Sequence, residues 1–152
     1  ITGRLLTNNS SLPNWSKTGE NPIHGVQRNG AGDIALVFHW TNTFYHTTGI
    51  ANTNVNGQLY YVPFESSPCC WQESYNCCTE QVRFKFDILD GSDAIIFTYS
   101  YYQGDFVASN LTYTWRGFIY TGNGNGNAKI KMSNATPNQS RWTSIIDNLS
   151  LY

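Results

Sequence analysis

Residues 81–89 read QVRFKFDIL, an alternation of apolar and polar side chains without a break. Val82, Phe84, Phe86 and Ile88 fall on one side of an extended chain, and Gln81, Arg83, Lys85 and Asp87 on the other. Successive side chains of a strand point to opposite faces, so this is a strand with one face on a core and one toward solvent. A helix would scatter the same residues around its circumference. The same reading extends outward. DIALVFHW (33–40) sets Ile34, Leu36, Phe38 and Trp40 on one side. GRLLT, QLYYVPF, DAIIFTYSYYQ, LTYTWRGFIYTG, AKIKMS and SIIDNLSLY are further β-branched and aromatic runs. LDGSDA and TGNGNGN supply turn chemistry between them, the second as a flexible hairpin tip. No segment keeps the spacing of an amphipathic helix. The expectation is one all-β domain over residues 1–152, an antiparallel β-sandwich of about eight strands with little or no helix.

At 152 residues the chain can bury roughly two-thirds of its unfolded surface without depending on cross-links. Charged residues make up only 12%, against about 25% in an average soluble domain. The formal net charge is −1 and the nine basic residues are scattered along the chain, which argues against nucleic acid as a partner. No apolar run reaches the roughly 20 residues that span a bilayer, so no membrane insertion is expected. No signal peptide is visible, and a first residue of Ile points to a processed chain or an excised domain. Sequons begin at Asn8, Asn9, Asn14, Asn110, Asn134, Asn138 and Asn148. A chain rich in Asn, Ser and Thr produces some by chance; on a secreted surface they are glycan acceptors.

All four cysteines lie in PCCWQESYNCC, residues 68–78. Zinc knuckles and thioredoxin-like sites both use C-x-x-C, which this cluster lacks. Adjacent cysteines on an extended backbone point to opposite sides. A folded-back loop joins Cys69 to Cys78 and Cys70 to Cys77; Cys69–Cys77 with Cys70–Cys78, or bonds to a neighbouring subunit, are the other arrangements. The disulfide reading is favoured, and it places the chain outside the reducing cytosol, secreted or at a cell surface.

The two ends are more specific. GRLLTNNSSLPNWSKTG, with Leu5, Leu6, Asn8 and Trp15, and RWTSIIDNLSLY, with Ile146, Asp147, Asn148, Leu149 and Leu151, resemble the opening and closing strands of galactose-binding-like jelly rolls. These are the fold of many non-catalytic carbohydrate-binding modules. The resemblance covers about 30 residues at the edges and implies a jelly roll whose terminal strands close the sandwich. It also implies a structural calcium between an acid near the first strand and the Asp of the closing motif. Asp147 is the metal candidate, but Asn9, Ser10 and Ser11 stand where the acid is expected. Calcium then depends on backbone carbonyls, and no cofactor is required; otherwise Asp147 hydrogen-bonds the turn after the first strand.

Sugar recognition stacks aromatic rings on the apolar face of a pyranose and bonds its hydroxyls with planar polar groups. The chain holds five Trp and ten Tyr, residues suited to half-wet contact surfaces. Trp71 and Tyr75, with Gln72, Glu73 and Asn76, lie inside the cysteine loop; Trp71 either contacts ligand or packs over the disulfides. Tyr99, Tyr101 and Tyr102 form a second candidate set, and Trp40 and Tyr45, beside His46, a third. Trp115 and Trp142 are assigned to the core. Asp87, Asp90 and Asp93 lack the ligand order of a calcium loop and read as a solvated turn. His24, His39 and His46 show no metal spacing, TGNGNGN is no phosphate loop, and no nucleophile elbow is present, so catalysis is not expected. Two functions follow. One is a secreted module that binds glycans or mediates adhesion. The other is a structural subunit of a glycosylated filament, coat or sheath, copies assembling head to tail or by donor strands.

Overall fold

The computed structural model describes residues 15–18, 24–27, 34–39, 43–46, 67–70, 134 and 142–145 as strand backbone, and residues 49–66, 83–102, 113–133 and 146–152 with their side chains. These residues form ten strands and no helix: β1 (Trp15–Thr18), β2 (His24–Gln27), β3 (Ile34–His39), β4 (Thr43–His46), β5 (Leu59–Cys70), β6 (Arg83–Leu89), β7 (Ile95–Tyr102), β8 (Thr114–Thr121), β9 (Lys129–Asn134) and β10 (Trp142–Asp147). They make two five-stranded antiparallel sheets, β1-β4-β9-β6-β7 and β2-β3-β10-β5-β8. The expected β-sandwich is therefore what forms. Seven of the expected strands are among them, GRLLT lies outside the described residues, and β1, β2 and β4, four residues each, are too short to show alternation.

QVRFKFDIL behaves as its pattern demands over its described part. Phe84, Phe86 and Ile88 have no exposed surface and meet the inner face of the other sheet. Facing them from β5 and β8 are Tyr60, Val62, Phe64, Phe118 and Tyr120, all buried. Phe64 is the hub, with ring centroids 4.5 Å from Phe86, 5.5 Å from Tyr101 and 6.5 Å from Phe118. The closing motif lies at the centre of its sheet. β10 runs between β3 and β5, and Ile146, Leu149 and Leu151 are fully buried. The chain kinks at Asn148, whose φ is +49°, and residues 150–152 then continue along β5. Tyr61 and Tyr152 exchange two backbone bonds of 2.9 Å, and Ser150 N donates to Pro63 O at 3.0 Å. Pro63 has no N–H to return the second bond, so that pair is held by a single backbone bond.

β7 and β8 are edge strands of opposite sheets, and Arg116 of β8 ties them. Its Nη2 donates to Tyr102 O at 3.1 Å and its Nε to Ser66 Oγ at 2.9 Å. The guanidinium lies 4.3 Å from the Tyr101 ring.

Two expectations about loops are corrected. Asp87, Asp90 and Asp93 do not make a solvated turn, because only Asp93 is exposed. Asp87 is covered at the middle of the sheet, where Thr98 Oγ1 donates to its Oδ1 at 2.7 Å and Lys85 Nζ lies 3.4 Å from its Oδ2. Nor is TGNGNGN a loose tip. Asp90 Oδ1 accepts from Ser92 N (2.8 Å) and Ala94 N (3.1 Å), and its Oδ2 from Asn123 Nδ2 (2.9 Å) and Asn125 Nδ2 (3.0 Å). Asn54 completes the knot, donating from Nδ2 to Asn123 Oδ1 and accepting from Asn123 N. The two turns press so closely that a Cβ on Gly91 would stand 2.8 Å from Gly126 Cα.

Candidate functional site

β5 and β8 pair along eight residues, from Leu59 opposite Thr121 to Ser66 opposite Thr114. Even-numbered positions carry Tyr60, Val62, Phe64, Phe118 and Tyr120 into the core, so odd ones face outward. Those odd positions are not polar. Leu59, Tyr61, Trp115 and Ile119 are large apolar side chains on the outer face, and Tyr152 joins them through its pairing with Tyr61. Trp115 is 62% exposed, Tyr152 53% and Tyr61 47%, so three rings share this outer face as an aromatic strip rather than one stray ring. Trp115 was expected in the core. The strand's parity overturns that: Phe118 and Tyr120 take the inner positions and leave Trp115 outside.

The strip is held in place from below. A Cβ added at Gly117 would meet Tyr61 Cε2 at 2.7 Å and Oη at 2.9 Å, so the Tyr61 ring lies across the glycine in the space between Trp115 and Ile119. Backbone bonds on both sides of Tyr61 fix its base. Planar polar groups stand beside the strip. Trp115 is opposite Glu65 in the register, and Asn148 Nδ2 donates to Glu65 Oε2 at 2.7 Å. Glu65 is buried and its carboxylate engaged, and Asn148 is half-buried, so the rings are what this face chiefly exposes.

The residues singled out from the sequence are placed differently. Tyr101 is 7% exposed and packs in the core, where burial pushes its hydroxyl well above the ordinary tyrosine range. This removes Tyr101 from any contact surface. Tyr99 is half-buried, its ring stacked 5.1 Å from Phe118. Both have the inward parity of β7, since Tyr101 pairs with Phe84 and Tyr99 with Phe86. Tyr102 has the opposite parity and is 51% exposed, with the Arg83 guanidinium 4.8 Å from its ring centroid. Tyr45 lies opposite Lys131 in the β4–β9 register. Cys69 and Cys70 end β5, opposite Thr143 and Trp142. Trp40, Trp71, Tyr75, Cys77 and Cys78 lie outside the described residues, as do Asn8, Asn9, Asn14, Asn110 and Asn138, and so the disulfide pairings do too. Asn134 ends β9.

Asp147 has no exposed surface, and its Oδ1 accepts from Asn148 N at 2.7 Å. Glu65 is its partner across the β10–β5 register. Among the described residues no three His, Cys, Asp or Glu side chains come together to hold a metal. Asn9, Ser10 and Ser11, the other residues of the expected calcium site, lie outside the described residues.

Tyr61, Trp115, Ile119 and Tyr152 are thus the residues that sequence reasoning missed. The signal lay in QLYYVPF and TWRGFIY, where both faces of the strand are apolar. A sheet with one face on the core has no structural need for a second apolar face.

No family model and no curated protein sequence matches the chain. Solved structures do. A CBM61 module, TmCBM61, determined in complex with β-1,4-galactotriose, is similar over 98% of this chain and 97% of its own, with a TM-score of 0.63 and 14% identity. The CBM22-1 xylan-binding domain of Paenibacillus barcinonensis Xyn10C is similar over 99% and 91%, with a TM-score of 0.58 and 8% identity. Tailspike protein 4 of bacteriophage CBA120 is similar over 97% of this chain, which spans only 21% of the tailspike chain, with a TM-score of 0.60 and 13% identity. At such identities the likeness shows the fold, a jelly-roll β-sandwich of the carbohydrate-binding-module type.

Proposed function

We propose that the chain is a non-catalytic module that binds a neutral polysaccharide on the outer face of β5, β8 and residues 150–152. The observation that carries this reading is the strip of Trp115, Tyr61 and Tyr152, exposed together on a rigid sheet beside Glu65 and Asn148. Rings anchored on a sheet lose little freedom when a sugar stacks on them, so their contact area goes into affinity. The relatives support it: TmCBM61 is seen with a galactotriose and the CBM22 domain is described as xylan-binding. We place the module outside the cell, on its low charge and on the disulfides expected of residues 68–78.

Affinity electrophoresis in gels containing β-1,4-galactan or xylan tests it. The wild-type chain is retarded by at least one such polymer, and Trp115→Ala weakens that retardation about tenfold, the equivalent of about 1.4 kcal/mol. Unchanged binding by Trp115→Ala and Tyr61→Ala together would move the site elsewhere.

A further inference from the structure

The exposed apolar side chains of the outer face, Leu59, Tyr61, Trp115, Ile119 and Tyr152, spread in two directions. Along the strands they reach from Trp115 to the Leu59–Thr121 pair, about 20 Å at the rise of an extended chain. Across the strands Ile119, Tyr61 and Tyr152 stand in one row, because Tyr61 pairs with both of the others. That row covers two strand spacings, about 10 Å. A dissolved sugar chain needs a line of contacts one ring wide, and this patch is broader than a line. It also runs out to the rim of its sheet, since β8 is an edge strand.

The charged groups beside the patch are committed elsewhere. Glu65 is buried, its Oε2 accepting from Asn148 Nδ2 at 2.7 Å. Arg116 directs its Nε to Ser66 Oγ and its Nη2 to Tyr102 O. The Tyr61 ring lies across Gly117 instead of standing off the sheet, which keeps the middle of the patch low. A dissolved chain arrives with hydrated hydroxyls, and a site that strips their water must return hydrogen bonds. In an ordered array of β-1,4-linked chains with equatorial substituents, those groups already bond neighbouring chains and the C–H faces are left outward. Such a face asks mainly for apolar contact over a breadth of several chains, and that is what this patch offers.

We infer that this patch adsorbs to the ordered face of an insoluble polysaccharide, neutral β-1,4-linked chains with equatorial substituents packed side by side, in preference to one dissolved chain. The inference rests on the glycan-binding reading above and specifies the physical state of the ligand. The test is depletion of the full chain from solution by crystalline and by amorphous cellulose, and by crystalline and amorphous chitin. Affinity electrophoresis in soluble xylan and galactan runs beside it. At equal accessible surface, the crystalline form of at least one polymer should take up several-fold more protein than its amorphous form. Uptake should hold in NaCl and rise when sodium sulfate is added, as apolar contact does. Trp115→Ala should cost about tenfold in that uptake. Leu59→Thr, at the far end of the patch, should reduce crystalline uptake by more than it reduces retardation by soluble xylan. Equal or greater uptake by the amorphous forms, uptake that falls with salt or survives Trp115→Ala, or an equal effect of Leu59→Thr on both assays would each overturn the inference. Trp115-dependent retardation by a soluble polymer with no crystalline uptake would overturn it too, and there the first reading survives. Failure of every polymer in both assays would sink both.

Discussion

Asp90 gathers four hydrogen-bond donors on one carboxylate, two backbone and two from asparagine side chains. The Asn123 amide, opposed by burial and helped by Ser92, Asn125 and Ala94, lowers its pKa from 3.8 to about 2. Because the folded value lies below the unfolded one, this contribution to stability is complete above the unfolded pKa and is lost as pH falls through about 2. Asp90→Asn would turn a donor toward Asn123 and Asn125. Its melting temperature at pH 7 should fall by roughly 4–8 °C, and the gap from wild type should narrow toward pH 2. Calorimetry at the two pH values checks this; an equal gap at both would show that the charge is irrelevant. Nothing in LDGSDA distinguishes this acid from a solvated turn acid, because its two asparagine partners lie more than 30 residues away in TGNGNGN.

Among elements, β8 carries the most information per residue. Gly117 is needed not for its backbone but for the Tyr61 ring above it. Gly117→Ala should therefore push that ring off the sheet while the strand survives. Neutral-polymer binding is expected to drop several-fold with a melting temperature within about 2 °C of wild type, measured by affinity electrophoresis beside thermal melts. β6 was readable from sequence because its two faces differ: Phe84, Phe86 and Ile88 against Arg83 and Lys85. β8 was readable as a strand but not by face. TWRGFIY offers a ring or aliphatic chain at nearly every position, and only the partner strand decides which go inside. The same ambiguity misplaced Tyr101, whose neighbour Tyr102 is the exposed one. β1, β2 and β4 were invisible for a simpler reason, having four residues each.

At the scale of the whole molecule, the described core joins the two sheets through aromatic and aliphatic side chains alike, with Phe64 at its centre. Phe64 meets Phe86, Tyr99 and Tyr101 from the facing sheet and Phe118 from its own. Phe64→Ala should destabilise the domain by about 3–5 kcal/mol, read as a lower urea midpoint in a single transition. A loss below about 1 kcal/mol would mean that the layers slide together and refill the space. The sandwich class and its closing strand could be read from alternation and from RWTSIIDNLSLY, since both depend on local pattern. The contact surfaces could not, because they arise where strands distant in the sequence become neighbours.

The aromatic strip draws its rings from three adjacent backbone runs, Trp115 from β8, Tyr61 from β5 and Tyr152 from the closing segment. A slip of any one run by a single residue would turn its ring to the other face, so this surface exists only while all three registers hold together.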